Sequence, residues 1–600
     1  MEIARTFDFL EYYRTDYIDK IDAFVAKEKG FWKRYSSADY IENVDKISYG
    51  LLSLGLKKGD IVITISNNRP EWNFMDMGLA QTGVIHTPIY PTISNEDYAY
   101  IINHCRPKLI VVSDNSLYER IKPIALKINS VKAIYSFNKI KGVKNWIEIK
   151  KAGEQYSNKY ADILKNIKDS ISPHDTVTLL YTSGTTGNPK GVMLSHNNIV
   201  SNIKSVSKVF HFNQTHRTLS FLPINHVFER TVNYYFQSRG LSIFYAENLG
   251  TITDNLREVK PHVFITVPRL LEKVYDKIIG KGRELKGIKK TIFFWAVKLG
   301  LRYGLKKTKG LLYKLKLKIA DSLIFSKWRA ALGGSVDLIV SGGAALQPRL
   351  VRIFNAAGIH LIEGYGLTET SPVIAVNNIS TGEIKLGTVG PPLSDVQLRI
   401  SEEGEILCKG PNVMQGYFKE PGLTKQAIDS EGWFHTGDLG ILEDNKYLKI
   451  TGRKKEIFKL SSGKYVSPQV IENRFKESTF IEQIMVVGEN QKFASAVISP
   501  NFPFLHNWCS SNGIKYSDNR ELIQNNKVVQ LYQHEVNNLN KQLGQAEKIK
   551  RFRLVHEEWS PLTGELSPTL KLKRKLLAEK YSDLLKEIFS VESSNVSEAV

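Results

Sequence analysis

The chain is predicted to be α/β, with parallel sheets covered by helices and enough length for two or three domains. Three observations carry this. Helical patterns alternate with short apolar runs: residues 47–60 read as a helix ending in a Gly-Asp turn, followed by the buried strand IVITI. The helix EWNFMDMGLAQTG then runs into VIHTPIYPT, and a third unit ends in the strand KLIVVSD at residues 108–114. Such alternation implies crossover helices between parallel neighbours. Six hundred residues with 42% hydrophobic content are ample for more than one packed core. Finally, a loop rich in hydroxyls and glycine at residues 181–191 lies between two apolar runs, 177–180 and 191–194, that read as strands.

The bulk properties narrow the function classes. Net charge is +21, from 82 Lys+Arg against 61 Asp+Glu, which suits a polyanion: nucleic acid, an anionic membrane surface, or a nucleotide and coenzyme A. No zinc-finger, RNA-binding or helix-turn-helix signature accompanies it, so no nucleic acid is expected. Cys105, Cys408 and Cys509 are far apart and lack metal-ligand spacing, which points to a reducing cytosol. The mixed polar start after Met1 has no apolar signal core, and no run approaches the roughly 18 apolar residues of a membrane span. The expected location is cytoplasmic.

Taken in order, residues 1–45 read as a capping arm with helical stretches. The loop that follows the α/β units, YTSGTTGNPKG, can close on an anion. Gly184 and Gly187 let the backbone approach, Thr182, Ser183, Thr185 and Thr186 donate hydrogen bonds, and Lys190 adds charge. It is not a Walker loop, because the two glycines are too close and Pro189 precedes the lysine. The string resembles the phosphate loop of the acyl-adenylate-forming superfamily, which includes acyl-CoA synthetases, firefly-type luciferases and peptide-synthetase adenylation domains. Gly59-Asp60, Asn67-Asn68, Gly83 and residues 89–92 also fall where long-chain acyl-CoA synthetases carry similar strings.

Residues 222–230, LPINHVFER, resemble the LPxxHxxER of the long-chain branch. The resemblance implies that His226 lies beside the acyl carboxylate and helps gate its pocket. It assigns no role to Glu229 or Arg230. Residues 281–330 then hold 15 Lys/Arg against Glu284 and Asp321 alone. Ile288, Ile292, Trp295, Leu299 and Tyr303 recur at helical spacing there, as do Leu312, Leu315, Ile319 and Leu323. Two readings stay open: helices packed on the core with a solvated basic face, or an interfacial surface resting on anionic lipid.

A second cluster suits a nucleotide. The strand at 338–340 runs into Ser341-Gly342-Gly343-Ala344, small enough for a purine to lie against backbone. Glu363-Gly364-Tyr365-Gly366 and Thr368-Glu369 follow, offering a stacking ring, a hydroxyl and a hard oxygen ligand. The resemblance implies that Gly342, Gly343, Ala344, Glu363, Gly364, Gly366 and Thr368 belong to the nucleotide site, and that Tyr365 stacks on adenine. It further implies that Thr182 and Glu369 hold Mg²⁺, that Asp438 takes the ribose hydroxyls, and that Arg453 reaches ribose and phosphate. Glu456 stands where the family often has Asp, and the hinge falls at Lys455. Near the end of the chain, Lys571 resembles the adenylation lysine, with Lys573 as the competing register.

Six motifs thus occur in family order over residues 45–580. The implied architecture is the acyl-adenylate-forming enzyme fold. A large N-terminal domain spans 1–452, a small mobile α+β domain spans 453–585, and a frayed tail spans 586–600. The implied activity is that of a long-chain fatty acid–CoA ligase (AMP-forming), with Mg²⁺ as cofactor and ATP and coenzyme A as co-substrates; Lys459 and Lys464 suit coenzyme A phosphates. Two rivals are a fatty-acyl-AMP ligase that loads a carrier protein and a catalytically silent basic lipid-surface protein. The basic segment would add peripheral contact with an anionic membrane face.

Overall fold

The computed structural model describes residues 3–182, 188–305, 310–561, 563–567 and 570–590. Ser183, Gly184, Thr185, Thr186 and Gly187 of the expected phosphate loop lie outside the described residues.

Two eight-stranded sheets form the large domain. The first runs in the order Gly416–Tyr417, Lys190–Ser195, Thr176–Thr182, Ile85–Ile89, Ile61–Ile65, Leu109–Val112, Ala133–Ser136, Lys144–Asn145. The second runs Val373–Val376, His360–Gly366, Leu338–Ser341, Val263–Thr266, Arg217–Ser220, Ser242–Tyr245, Phe24–Glu28, Phe31–Tyr35. Neighbours are parallel except at the ends, where Lys190–Ser195 and the two outermost strands of the second sheet run antiparallel. The inner strands are apolar and buried throughout, as Ile61–Ile65 and Val263–Thr266 show, because helices cover both faces. Helix Pro70–Gln81 packs on strands of both sheets and is buried along nearly its whole length. Helix Val227–Ser238 is almost as deeply buried.

Arg217–Ser220 has Ser242–Tyr245 on one side and Val263–Thr266 on the other, so the connections diverge at its carboxyl end. Such a switch point opens a crevice for ligands. Residues 220–226, 266–269 and 341–345 all leave their strands at this edge.

Beyond the sheets, Gln397–Ile400, Glu405–Lys409, Phe434–Glu443 and Tyr447–Arg453 form a four-stranded antiparallel sheet. The last domain has a core of its own around Phe475, Ile484, Ile498, Leu505 and Tyr532. It is built on Ile481–Val487, Ser495–Pro500 and Arg551–Leu554 with covering helices.

Three expectations need adjustment. The N-terminal arm is not helical alone: after helix Phe9–Arg14 it forms the hairpin Phe24–Glu28/Phe31–Tyr35, turned by Lys29 and Gly30 at positive φ. Backbone pairing with Ser242–Tyr245, remote in sequence, decides this. The last domain does not fray at 586; helix Ser582–Ser590 continues, with Ile588 buried and its carbonyl accepting the Arg551 guanidinium at 2.9 Å. Residues 591–600 lie outside the described residues. Arg453, expected to open the small domain, instead ends the large-domain strand Tyr447–Arg453.

Candidate active site

The cleft between the large and small domains encloses a cavity of about 1670 Å³. Its polar end gathers residues from stretches far apart in the chain. Asp438 and Arg453 sit directly opposite each other on adjacent antiparallel strands, and Arg453 Nε donates to Asp438 Oδ1 at 2.9 Å. The other carboxylate oxygen accepts the Tyr365 hydroxyl at 2.7 Å. A carboxylate fixed from two sides keeps further lone pairs for incoming hydroxyls.

Tyr365 leaves the strand His360–Gly366 in the company of small residues. A Cβ on Gly366 would meet the Pro372 carbonyl oxygen at 1.8 Å, so only glycine lets the chain turn there. Gly342, Gly343, Ala344, Gly364, Gly366 and Thr368 all line the cavity with Tyr365. Glu363 does not line it. Its carboxylate lies behind that wall and accepts the Leu346 N–H at 2.9 Å, bracing the glycine turn, and burial pushes its pKa up to about 8.

Thr182 ends one strand opposite Lys190, so the two ends of the anion loop are held in register. Lys190 stacks over the Tyr417 ring at 5.0 Å, and the Tyr417 hydroxyl donates to Glu369 Oε1 at 2.9 Å. Thr182, Lys190, Tyr417 and Glu369 therefore share one wall of the cleft. Sequence reasoning missed Tyr417. It arrives because Gly416–Tyr417 adds to the sheet edge beside Lys190–Ser195, and no local motif announces that pairing. Among the described residues no group of three or more His, Cys, Asp or Glu could hold a metal. One carboxylate and one hydroxyl still suit Mg²⁺, which keeps waters and takes most of its oxygens from nucleotide phosphates.

Lys571 enters from the small domain and lines the same cavity, whereas Lys573 does not. Ser567 holds the turn: its Oγ accepts the Lys571 N–H at 3.1 Å, and its own N–H donates to the Lys571 carbonyl at 2.8 Å. Burial, then the nearby Arg453 charge, lowers the Lys571 ammonium to about 8 against the pull of Asp438, Glu456 and Glu369. Lys455, the expected hinge, lines the cleft between the domains.

His226 caps helix Val227–Ser238, its Nδ1 accepting the Phe228 N–H at 3.1 Å. Burial, and secondarily the Lys571 charge, lower it to about 4. The imidazole is therefore neutral with its proton on Nε2, a hydrogen-bond donor at the rim of an apolar channel. Phe210, Phe212, Val232, Tyr235, Phe236 and Val340 line that channel.

The neighbouring Glu229 and Arg230 acquire roles only in three dimensions. Arg230 is buried and reaches Asp76 and the Thr178 hydroxyl, both at 2.5 Å. Asp76 also holds His86 and the Tyr234 hydroxyl at 2.5 Å. Burial alone would raise the Asp76 carboxyl, but Arg230 and His86 keep it below the usual carboxylate range. This network ties the first sheet to two central helices. Glu229 faces the cavity, accepts the Ser220 hydroxyl at 2.6 Å, and leaves Oε2 without a partner among the described residues. Burial pushes it up to about 8.

Two domain families match this chain: "AMP-binding enzyme" over residues 17–418 and "AMP-binding enzyme C-terminal domain" over 455–593. The long-chain-fatty-acid–CoA ligase FadD15 of Mycobacterium tuberculosis is 32% identical over 578 residues, covering 94% of this chain and 93% of its own. Long-chain-fatty-acid–CoA ligase 1 of Homo sapiens is also 32% identical, covering 91% of this chain and 80% of its own. Among solved structures, the A domain of carboxylic acid reductase from Segniliparus rugosus, in complex with AMP and a co-purified carboxylic acid, superimposes with a TM-score of 0.72. It is 19% identical and covers 98% of this chain and 94% of its own. At that identity the likeness speaks for the fold alone.

Proposed function

The chain belongs to the AMP-binding enzyme family, and from that premise we infer that it joins a long-chain fatty acid to coenzyme A at the expense of ATP. The reaction passes through an acyl-adenylate and releases AMP and pyrophosphate. One observation carries the reading beyond the likeness to long-chain ligases. A single cavity holds a basic and hydroxyl-rich polar end, with Lys571, Arg453, Asp438 and Thr182, and an apolar channel bounded by Phe210, Tyr235 and Phe236.

In the first half-reaction the fatty carboxylate attacks the α-phosphorus in line, forming the acyl–O–P bond while the bond to the β-phosphate breaks and pyrophosphate leaves. The protein's part is positioning and charge neutralisation. Lys571 and Lys190 offset phosphate charge, Tyr365 and the glycine turn bound the adenine, and Asp438 with Arg453 fixes the ribose. Neutral His226 donates from Nε2 toward the carboxylate. Glu369 and Thr182 would hold Mg²⁺, whose chemistry there is to neutralise phosphate charge.

In the second half-reaction the small domain turns about Lys455 and withdraws Lys571, opening a path for coenzyme A. The thiol loses its proton and attacks the acyl carbon, forming the thioester as the bond to AMP breaks. Its three free, buried cysteines support a reducing, cytoplasmic location.

The test is release of AMP from ATP, Mg²⁺ and palmitate, with and without coenzyme A. Turnover that requires coenzyme A and yields palmitoyl-CoA is the expected result. Adenylate formed at the same rate without coenzyme A, and no thioester with it, would overturn the ligase reading.

A further inference from the structure

The basic segment separates into two helices whose apolar rows have opposite fates. In helix Gly287–Gly300, Leu299 is buried in the second core, Trp295 packs against it and Ile292 is half-buried, leaving Ile288 exposed at the start. Helix Leu311–Ala320 runs on through a π turn, Asp321–Phe325, into Ser326–Ala331. It turns Tyr313, Leu317, Ala320, Ile324 and Phe325 inward against the second core. The Tyr313 hydroxyl fixes this orientation by donating to the Leu299 carbonyl at 3.1 Å.

The opposite face is also apolar. Leu311 is 85% exposed, Leu312 75%, Leu315 58% and Ile319 46%, and Leu323 extends the row. At 100° per residue these side chains fall on one arc, bracketed by Lys314 and Lys318 on one side and Lys316 on the other. Asp321 is the one acid in this stretch, and it is engaged by Arg329 through both oxygens, at 2.5 and 3.0 Å. Lys286, Lys289 and Lys290 lie exposed beside Ile288 on the adjoining helix. An aliphatic stripe between cationic margins, on the outside of a helix already anchored from within, has nothing to gain from water.

We propose that the outward face of residues 311–323 docks the protein on an anionic phospholipid bilayer. Leucines and isoleucines enter the acyl boundary while the flanking lysines meet the headgroups. Charge complementarity selects this occupant. A second copy of the chain would bring lysines against lysines, and a neutral bilayer would leave the margins unpaired. The proposal does not rest on the ligase reading, although a fatty substrate would make such docking useful. Helix Pro268–Glu284 links this region to the cleft, its first two turns lining the cavity through Arg269, Leu270 and Lys273.

The experiment is sedimentation of the full chain with vesicles of phosphatidylcholine, alone or mixed with phosphatidylglycerol. Binding to the mixed vesicles that weakens with salt is expected, with little on the neutral ones. The triple variant Leu312→Ser, Leu315→Ser, Ile319→Ser should lose roughly tenfold or more of that affinity. ATP–pyrophosphate exchange with octanoate, a soluble acid, should stay unchanged in the triple variant. In an otherwise native chain, Leu315→Cys carrying an environment-sensitive dye should shift to the blue on the mixed vesicles, the native cysteines being buried. Absence of binding by the native chain, equal binding by the triple variant, or an unshifted dye would overturn the proposal. So would a lipid-independent change in oligomeric state in the triple variant, which would mark the face as a self-interface.

Discussion

Lys571 is the residue on which the two half-reactions should diverge. Lys571→Ala is expected to slow adenylate formation by about two to three orders of magnitude, the scale of losing one preorganised charge at the reacting phosphate. Conversion of supplied acyl-adenylate to acyl-CoA should be nearly unaffected, because the proposed domain turn would withdraw the lysine by then; equal loss of both would sink the domain-switch account. Its ammonium is lowered to about 8, so the charged form is lost as pH rises through that value. For adenylation, kcat/KM should accordingly fall above about pH 8, and Lys571→Arg should flatten the profile. Glu229 predicts a different pH effect. Its folded pKa of about 8 lies above the ordinary 4.5, so its protonated form favours the fold. That contribution is complete below about 4.5 and is lost as pH rises through about 8. Thermal unfolding across this window should show native stability declining relative to Glu229→Gln, which stays neutral. A parallel pair of curves would contradict the assignment.

Between elements, the buried Arg230–Asp76 pair and an ion pair across the domain boundary make separate predictions. Arg230→Met leaves the Asp76 carboxylate unpaired among His86, Tyr234 and apolar neighbours. A loss of about 3–5 kcal/mol in denaturant unfolding is expected, and much of it should return in the double variant with Asp76→Asn. Across the boundary, Arg269 and Lys273 of helix Pro268–Glu284 both reach Glu482 of the small domain, Lys273 at 3.3 Å. Arg269 is itself oriented by Glu272 at 2.8 Å, which accepts the Gln347 amide at 2.9 Å. These contacts exist while Lys571 occupies the cleft. Glu482→Gln should therefore slow adenylation by about fivefold, equivalent to roughly 1 kcal/mol for a partly exposed pair. Thioester formation from supplied adenylate should not slow; if it did to the same extent, the pair would be a general stabiliser of the fold.

For the whole molecule, the same contact reports the domain arrangement. A carbodiimide converts a lysine and carboxylate in direct contact into an amide, so mass spectrometry of the digested protein should find Lys273 joined to Glu482. Under the proposed domain turn, the yield should fall with AMP and a non-reactive coenzyme A analogue. An unchanged yield would mean that the small domain does not move away from helix Pro268–Glu284 in the second half-reaction.

Local patterns sufficed wherever the physics is local. The alternation of helices and buried strands follows from side-chain periodicity, and it foretold strands such as Ile61–Ile65 and Leu109–Val112. Tyr365, Glu369, Asp438, Arg453 and Lys571 stood out because short local motifs carry them, and the fold brings them to line one cavity. The sequence itself left several matters open. Lys571 and Lys573 differ by one pleat, so only the seating of the small domain chooses which side chain faces the cleft. Tyr417 joins Glu369 through a sheet-edge pairing, and Arg230 finds Asp76 over 154 positions of chain. Glu363 belongs to the nucleotide motif by spacing, yet its carboxylate is drawn behind the wall to accept the Leu346 N–H, a partner 17 positions away. The basic helices carry similar apolar rows, and only packing against the second core determines which row is buried and which faces outward. Contacts between distant segments decide these outcomes, because burial and charge pairing depend on what lies across the gap.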